Sequence, residues 1–279
     1  MVQKRSANIR LDKALVDYGF ARSRDHALEL ILSSVVLVNG SIAQKASRNL
    51  RPSDQILVRA HADHYVGRGA YKLLGALDDL EISVAGKVVA DLGSSTGGFT
   101  QVLLERGAQC VVAIDVGANQ MSERLRKNPQ IVLLEKVNAR TLDRSNVSLP
   151  EIDFVVGDLS FISLNLLRET VKDVLLGGIG DFLLLVKPQF ELDRKVVSKG
   201  KGVIRDPELW RQALLEVATK YVLSGAQIKA CVASHLTGSM GNREFFIYGT
   251  YKAQDSISCI TGELPELIAL AIDKIASND

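Results

Sequence analysis

The segment from Val88 to Phe99, Val-Val-Ala-Asp-Leu-Gly-Ser-Ser-Thr-Gly-Gly-Phe, limits the possible folds more than any other part of the chain. An apolar run ends in Asp91-Leu92-Gly93, a loop of small residues follows, and Phe99 to Glu105 has the composition of a helix. A strand feeding a glycine-rich turn at a helix N-terminus is the nucleotide-facing corner of a Rossmann-like unit. Gly93, Gly97 and Gly98 do not have the Gly-x-Gly-x-x-Gly spacing that cradles a pyrophosphate, and Phe99 stands where a P-loop needs lysine. A cofactor without phosphate fits better, and S-adenosylmethionine is the leading choice. Its expected contacts are Asp91, Gly93, Ser94, Ser95, Thr96, Gly97, Gly98 and Phe99. A second apolar strand, Val111 to Ile114, ends in Asp115 and is followed by Val116. The Asp115 carboxylate is placed to accept ribose hydroxyls.

From Ala70 onward strands alternate with helices. Strands are expected near 87–91, 110–115, 131–135, 152–157, 181–187, 227–233 and 244–251, and helices near 98–106, 118–126, 163–176, 207–223 and 264–276. Ala70 to Leu80 forms an entry helix. Asp206-Pro207 supplies an N-cap and a first helical residue. Alternating β and α units imply a doubly wound, mostly parallel sheet of seven strands. No helix separates the last two strands, so they pair antiparallel at one edge.

Residues 1–59 have a different pattern. Leu11, Ala14, Leu15 and Tyr18 recur at helical spacing and Gly19 stops that helix. Ser23 caps a second helix with Ala27, Leu28, Leu30 and Ile31 on its apolar face. Val35 to Val38, Asn39-Gly40 and Ser41 to Ala43 form a hairpin, and residues 55–59 add a strand. The division expected is a small α+β domain at 1–59, a linker at 60–69 and an α/β domain at 70–279. The formal net charge is only +2, but residues 1–60 hold ten Lys/Arg against five Asp/Glu. A basic small domain suits a polyanion. Arg10, Lys13, Arg22, Ser23, Arg24, Lys45, Arg48 and Arg51 are its candidate RNA contacts. The domain lacks a stacking aromatic pair, so docking on a folded RNA surface is expected. Cys110, Cys231 and Cys259 form no CxxC pair and suit a reducing compartment. No metal site is expected, and His61 and His64 belong to the linker. No segment suggests a leader or a membrane span, so a cytoplasmic protein without membrane partners is expected.

Arg10-Leu-Asp-Lys-Ala-Leu15, Ala21-Arg-Ser-Arg24 and Val36-Leu-Val-Asn-Gly40 resemble the S4 RNA-binding domain. Residues 65–251 resemble the FtsJ-type ribose 2′-O-methyltransferase domain. Its motifs are Gly67-Arg-Gly-Ala-Tyr-Lys-Leu73, Asp91 to Thr100, Gly157-Asp-Leu-Ser-Phe-Ile-Ser163, Leu185-Val-Lys-Pro-Gln-Phe-Glu191 and Gly241-Asn-Arg-Glu-Phe-Phe246. Gly67 departs from the serine expected there. Together, in this order, the two domains resemble the TlyA family, ribosomal RNA methyltransferases often labelled hemolysins. The resemblance implies S-adenosylmethionine as cofactor, ribosomal RNA or ribosomal subunits as partner, and cytidines of the small- and large-subunit RNAs as targets. The rivals are a non-catalytic RNA-binding assembly factor and a hemolysin.

A ribose 2′-hydroxyl needs a base, or a cation that stabilises the developing alkoxide. Asp158 follows the fourth strand and Lys187 closes the fifth, so both reach the carboxyl edge of the sheet. Lys72 and Glu244 do not follow from spacing. They are carried over because they match the Lys-Asp-Lys-Glu tetrad of FtsJ-type enzymes. Lys187 is the expected base, since burial and the neighbouring Lys72 would favour its neutral form. Asp158 and Glu244 would hold the lysines and ribose in register, and Asp158 also borders the cofactor. Asn138 could bind the adenine or form a turn. Arg194, Lys195, Lys199 and Lys201, with Gly200 and Gly202, suggest a mobile basic loop that gates the substrate or is merely solvated.

Overall fold

The computed structural model describes residues 9–21, 23–32, 35–43, 45–58, 64–142, 149–238, 240–252 and 263–276. Arg22, His61 and Cys259 lie outside them. The chain divides into two compact units, Met1–Tyr71 and Lys72–Asp279.

In the first unit β1 (Ile9–Arg10) leads into α1 (Leu11–Asp17), and α2 (Arg24–Leu32) follows. Then come β2 (Val36–Val38), β3 (Ser41–Ile42), β4 (Asn49–Leu50) and β5 (Ile56–Val58). Gly19, at φ 78°, ends α1, and Ser23 Oγ accepts from His26 N at 3.1 Å as the cap of α2. Asn39 and Gly40 both have positive φ, the backbone a two-residue hairpin between Val38 and Ser41 requires. Leu11, Ala14, Leu15, Ala27, Leu30, Ile31, Val36 and Val38 close the core. The sheet order is β3-β2-β5. A separate β1–β4 ladder, two residues long, had no sequence signal because two residues carry no period.

The second unit carries most of α3 (Gly69–Asp79). It continues with β6 (Val88–Leu92), α4 (Gly98–Glu105), β7 (Cys110–Asp115), α5 (Glu123–Arg126), β8 (Ile131–Glu135) and β9 (Phe154–Gly157). Next are α6 (Arg168–Val174), β10 (Gly180–Val186), α7 (Pro188–Glu191) and α8 (Arg194–Lys199). The last elements are α9 (Pro207–Leu223), β11 (Ala226–Ala233), β12 (Phe245–Tyr251) and α10 (Leu264–Ala276). The seven strands run in the order β11-β12-β10-β9-β6-β7-β8. β12 lies antiparallel between β10 and β11, and the pairs from β10 to β8 are parallel. The strand order reverses beside β6, the switch point at which open α/β sheets bind ligands.

Three expectations change. The helix expected near 118–126 shrinks to Glu123–Arg126, because Asn119 takes a positive φ and its N–H is drawn to Glu135. The helix expected near 163–176 breaks into a 3₁₀ turn at Leu164–Leu166, α6, and a second turn in which Gly177 and Gly178 have positive φ. The basic segment after Lys187 is not a plain loop. Asp193 caps α8 by accepting from Lys195 N, and Asn242 clasps the following turn through Ile204 N at 2.8 Å and Gly202 O at 2.9 Å.

Candidate active site

Register brings the carboxyl edge together. Leu92 pairs with both Ile114 and Gly157, so Gly93 and Asp158 leave the sheet side by side. Gly93 has φ 80°, and a Cβ there would come within 3.0 Å of Asp158 O. Gly97, the N-cap of α4, has φ 95°, and a Cβ would press on Leu125. Only glycine makes this turn. Asp115 Oδ2 accepts from Ser95 N at 2.8 Å and Oδ1 from Gly117 N at 2.7 Å, tying the second strand end to the loop.

Asp91 is fully buried and its Oδ2 accepts from Thr100 Oγ1 at 2.6 Å. Burial, then the charge of Asp158, pushes its pKa up to about 7. Asp91 Oδ1 and Ser94 Oγ are buried without a hydrogen-bond partner. Two orphaned polar atoms beside a turn that tolerates no Cβ fit a small polar cofactor that completes their bonding. Asn138 is exposed and its Oδ1 accepts from Arg140 N at 3.0 Å, the turn-forming role. Phe99 is buried, stacked on Phe246 at 6.2 Å, whereas Val116 is 71% exposed.

Beside this crevice four ionised groups form a chain. Glu244 Oε2 accepts from Lys72 Nζ at 2.6 Å, Lys72 Nζ lies 3.8 Å from Asp158 Oδ2, and Asp158 Oδ1 lies 2.6 Å from Lys187 Nζ. Lys72, Lys187 and Glu244 are buried. Val186 pairs with Phe245, so the last residue of β10 and the first of β12 fix Lys187 and Glu244 on one edge. Lys72 projects from α3. Charges this deeply placed persist only when mutually paired.

Residues 65–251 match the family model described as FtsJ-like methyltransferase, and residues 9–56 match the S4 domain. The 16S/23S rRNA (cytidine-2′-O)-methyltransferase TlyA of Mycobacterium tuberculosis is 42% identical over 243 residues, covering 86% of this chain and 88% of that protein. The chain belongs to the TlyA family. Hemolysin A of Brachyspira hyodysenteriae is 35% identical over 86% of this chain and 99% of its own length. A solved structure from Streptococcus thermophilus, named as a candidate hemolysin, superposes with a TM-score of 0.72 at 29% identity, covering 98% of this chain and 99% of that one. As a TlyA-family member the protein is an S-adenosylmethionine-dependent methyltransferase. RNA is its substrate class.

Several residues at the TlyA-family centre gave no sequence signal. Thr100 holds Asp91, and Ser160 Oγ accepts from Lys187 Nζ at 2.7 Å. Phe161 is 91% exposed at φ 64°, its ring tilted against Phe190 at 5.1 Å. Gly238 leaves room for Glu244, whose Oε1 a Cβ would strike. In the S4 unit, buried Asp12 gathers Arg10 at 2.9 Å and Arg24 at 2.7 Å. Hydrogen bonds from Arg10 and Arg24 hold its carboxyl well below the usual range. Lys13 pairs with exposed Asp17, Ser23 is used as a helix cap, and Lys45 and Arg51 are exposed. Arg48 is half-buried.

Proposed function

We propose that the protein methylates the 2′-hydroxyl of cytidines in structured ribosomal RNA. The chain Glu244–Lys72–Asp158–Lys187 beside the glycine crevice carries this reading. Asp91, Gly93, Ser94, Ser95 and Asp115 hold the cofactor. Bound S-adenosylmethionine supplies an electrophilic methyl carbon. Neutral Lys187 takes the proton of the 2′-hydroxyl at Nζ as the new O–C bond forms and the C–S bond breaks, and then releases it to solvent. Asp158 holds Lys187 against the ribose and stabilises the ammonium that results. Glu244 fixes Lys72, whose charge offsets the carboxylate of Asp158. The S4 unit supplies the RNA footing through Arg10, Lys13, Arg22, Arg24, Lys45, Arg48 and Arg51, with ribosomal subunits as partner and the cytoplasm as location.

The test is incubation of the full chain with small and large ribosomal subunits and methyl-labelled S-adenosylmethionine, followed by mapping of 2′-O-methyl positions. Label at defined cytidines is the expected result, and subunits that stay unlabelled overturn it. The hemolysin names among the relatives favour a second reading, membrane lysis. Among the described residues no helix is long and apolar enough to cross a membrane. Dye release from liposomes by purified protein would establish lysis.

A further inference from the structure

Lys187 meets two groups in the crevice, and they differ chemically. Asp158 Oδ1 stands 2.6 Å from its nitrogen and Ser160 Oγ 2.7 Å. An ionised carboxylate only accepts hydrogen bonds, so Asp158 serves Lys187 only while the lysine is an ammonium. A serine hydroxyl both donates and accepts. It can accept from the ammonium and, by rotating, donate to the lone pair of the neutral amine.

We propose that Ser160 is a positioning residue whose hydroxyl holds the Lys187 nitrogen at the crevice through both protonation states that methyl transfer requires. The proposal rests on the methyl-transfer reading above. The other charged groups around Lys187 do not replace it. Glu244 is occupied by Lys72, Lys72 lies between Glu244 and Asp158, and the Phe190 ring centre is 6.0 Å from Nζ. Once Lys187 has lost its proton, Asp158 has no donor bond left to accept from it. Without Ser160 the amine is then free to leave its reactive position.

The local backbone favours this presentation. Asp158 N donates to Leu92 O at 3.1 Å, which fixes the chain as it leaves β9. Phe161 then takes a left-handed φ of 64°. A bulky residue in that region costs about 1–3 kcal/mol and persists where the surroundings enforce it. Between these two points Ser160 is exposed while Lys187 is buried, so the hydroxyl links the buried amine to the side from which a ribose arrives.

The experiment compares Ser160→Ala and Ser160→Thr with wild type in the full chain. Single-turnover rate, KM for ribosomal subunits and Kd for S-adenosylmethionine are measured. Ser160→Ala is expected to lower the rate about tenfold, the worth of one hydrogen bond, with KM and Kd unchanged. Ser160→Thr, which keeps the hydroxyl, is expected to recover most of it. A Ser160→Ala protein with full rate, or a Ser160→Thr protein as impaired as Ser160→Ala, overturns the proposal. A wild type that labels no subunit removes the methyl-transfer reading and this proposal with it. An active wild type beside a fully active Ser160→Ala removes the proposal alone.

Discussion

Lys72 Nζ and Glu244 Oε2 stand 2.6 Å apart across 172 positions of sequence, and both side chains are buried. Breaking such a pair from one side leaves an uncompensated charge. Glu244→Ala is expected to destabilise the methyltransferase unit by about 3–5 kcal/mol. The double variant Lys72→Met/Glu244→Leu removes both charges and is expected to regain much of that stability without activity. Urea denaturation and methyl transfer on the same samples check this. A double variant as unstable as the single would show that packing, not charge, holds the site.

How much of this centre was legible follows from how each residue is placed. Asp91, Asp115, Asp158 and Lys187 end strands whose apolar runs are visible in the sequence, and the parallel sheet puts strand ends together. The described strands follow the runs closely, as β7 at Cys110–Asp115 shows. Lys72 and Glu244 came only with the family resemblance, because nothing in their spacing links a helix before the sheet to a strand near its end. Helices α7 and α8 were illegible for a related reason. Four and six residues are too short for a period, and the clasp by Asn242 is a tertiary contact. Ser160 and Phe161 were missed because no local rule places a phenylalanine in a left-handed turn.

Gly238 supports Glu244 by having no side chain. A Cβ there would overlap Oε1, and Asn242 O accepts from Gly238 N at 2.8 Å, so the backbone has little room to withdraw. Gly238→Ala should displace the carboxylate from Lys72. A displacement of about an ångström in a catalytic array costs on the order of 10²-fold in rate. Calorimetry should show S-adenosylmethionine affinity close to wild type. Wild-type turnover in a folded Gly238→Ala protein would mean Glu244 does not depend on this gap.

Asp91 makes stability depend on pH. Its pKa is raised from 3.8 to about 7, chiefly by burial, so the folded state holds a proton that the unfolded chain releases. Stability without cofactor is therefore expected to fall as pH rises from about 4 to about 7, by on the order of 4 kcal/mol. Asp91→Asn keeps an acceptor for Thr100 and cannot ionise, so it should flatten that slope. Denaturation midpoints across this range decide the matter. An equal slope in both proteins would assign the pH dependence elsewhere.

Lys187 carries the sharpest expectation. It closes β10, is followed by Pro188, and lies buried against Asp158 and Ser160. The proline fixes its own φ and restricts Lys187 to extended backbone, observed at φ −114° and ψ 99°, so the amine cannot easily be redirected. If Nζ takes the hydroxyl proton, Lys187→Ala should bind cofactor and RNA yet lose about 10²–10⁴-fold in rate. Lys187→Arg should fail as well, because a guanidinium keeps its proton near neutral pH. If Lys187 only stabilises charge, arginine supplies that charge and keeps much of the rate. The two roles thus part on one variant. Single-turnover methylation by folded Lys187→Arg at a near-normal rate would remove the proton-acceptor role and leave Lys187 as an electrostatic group.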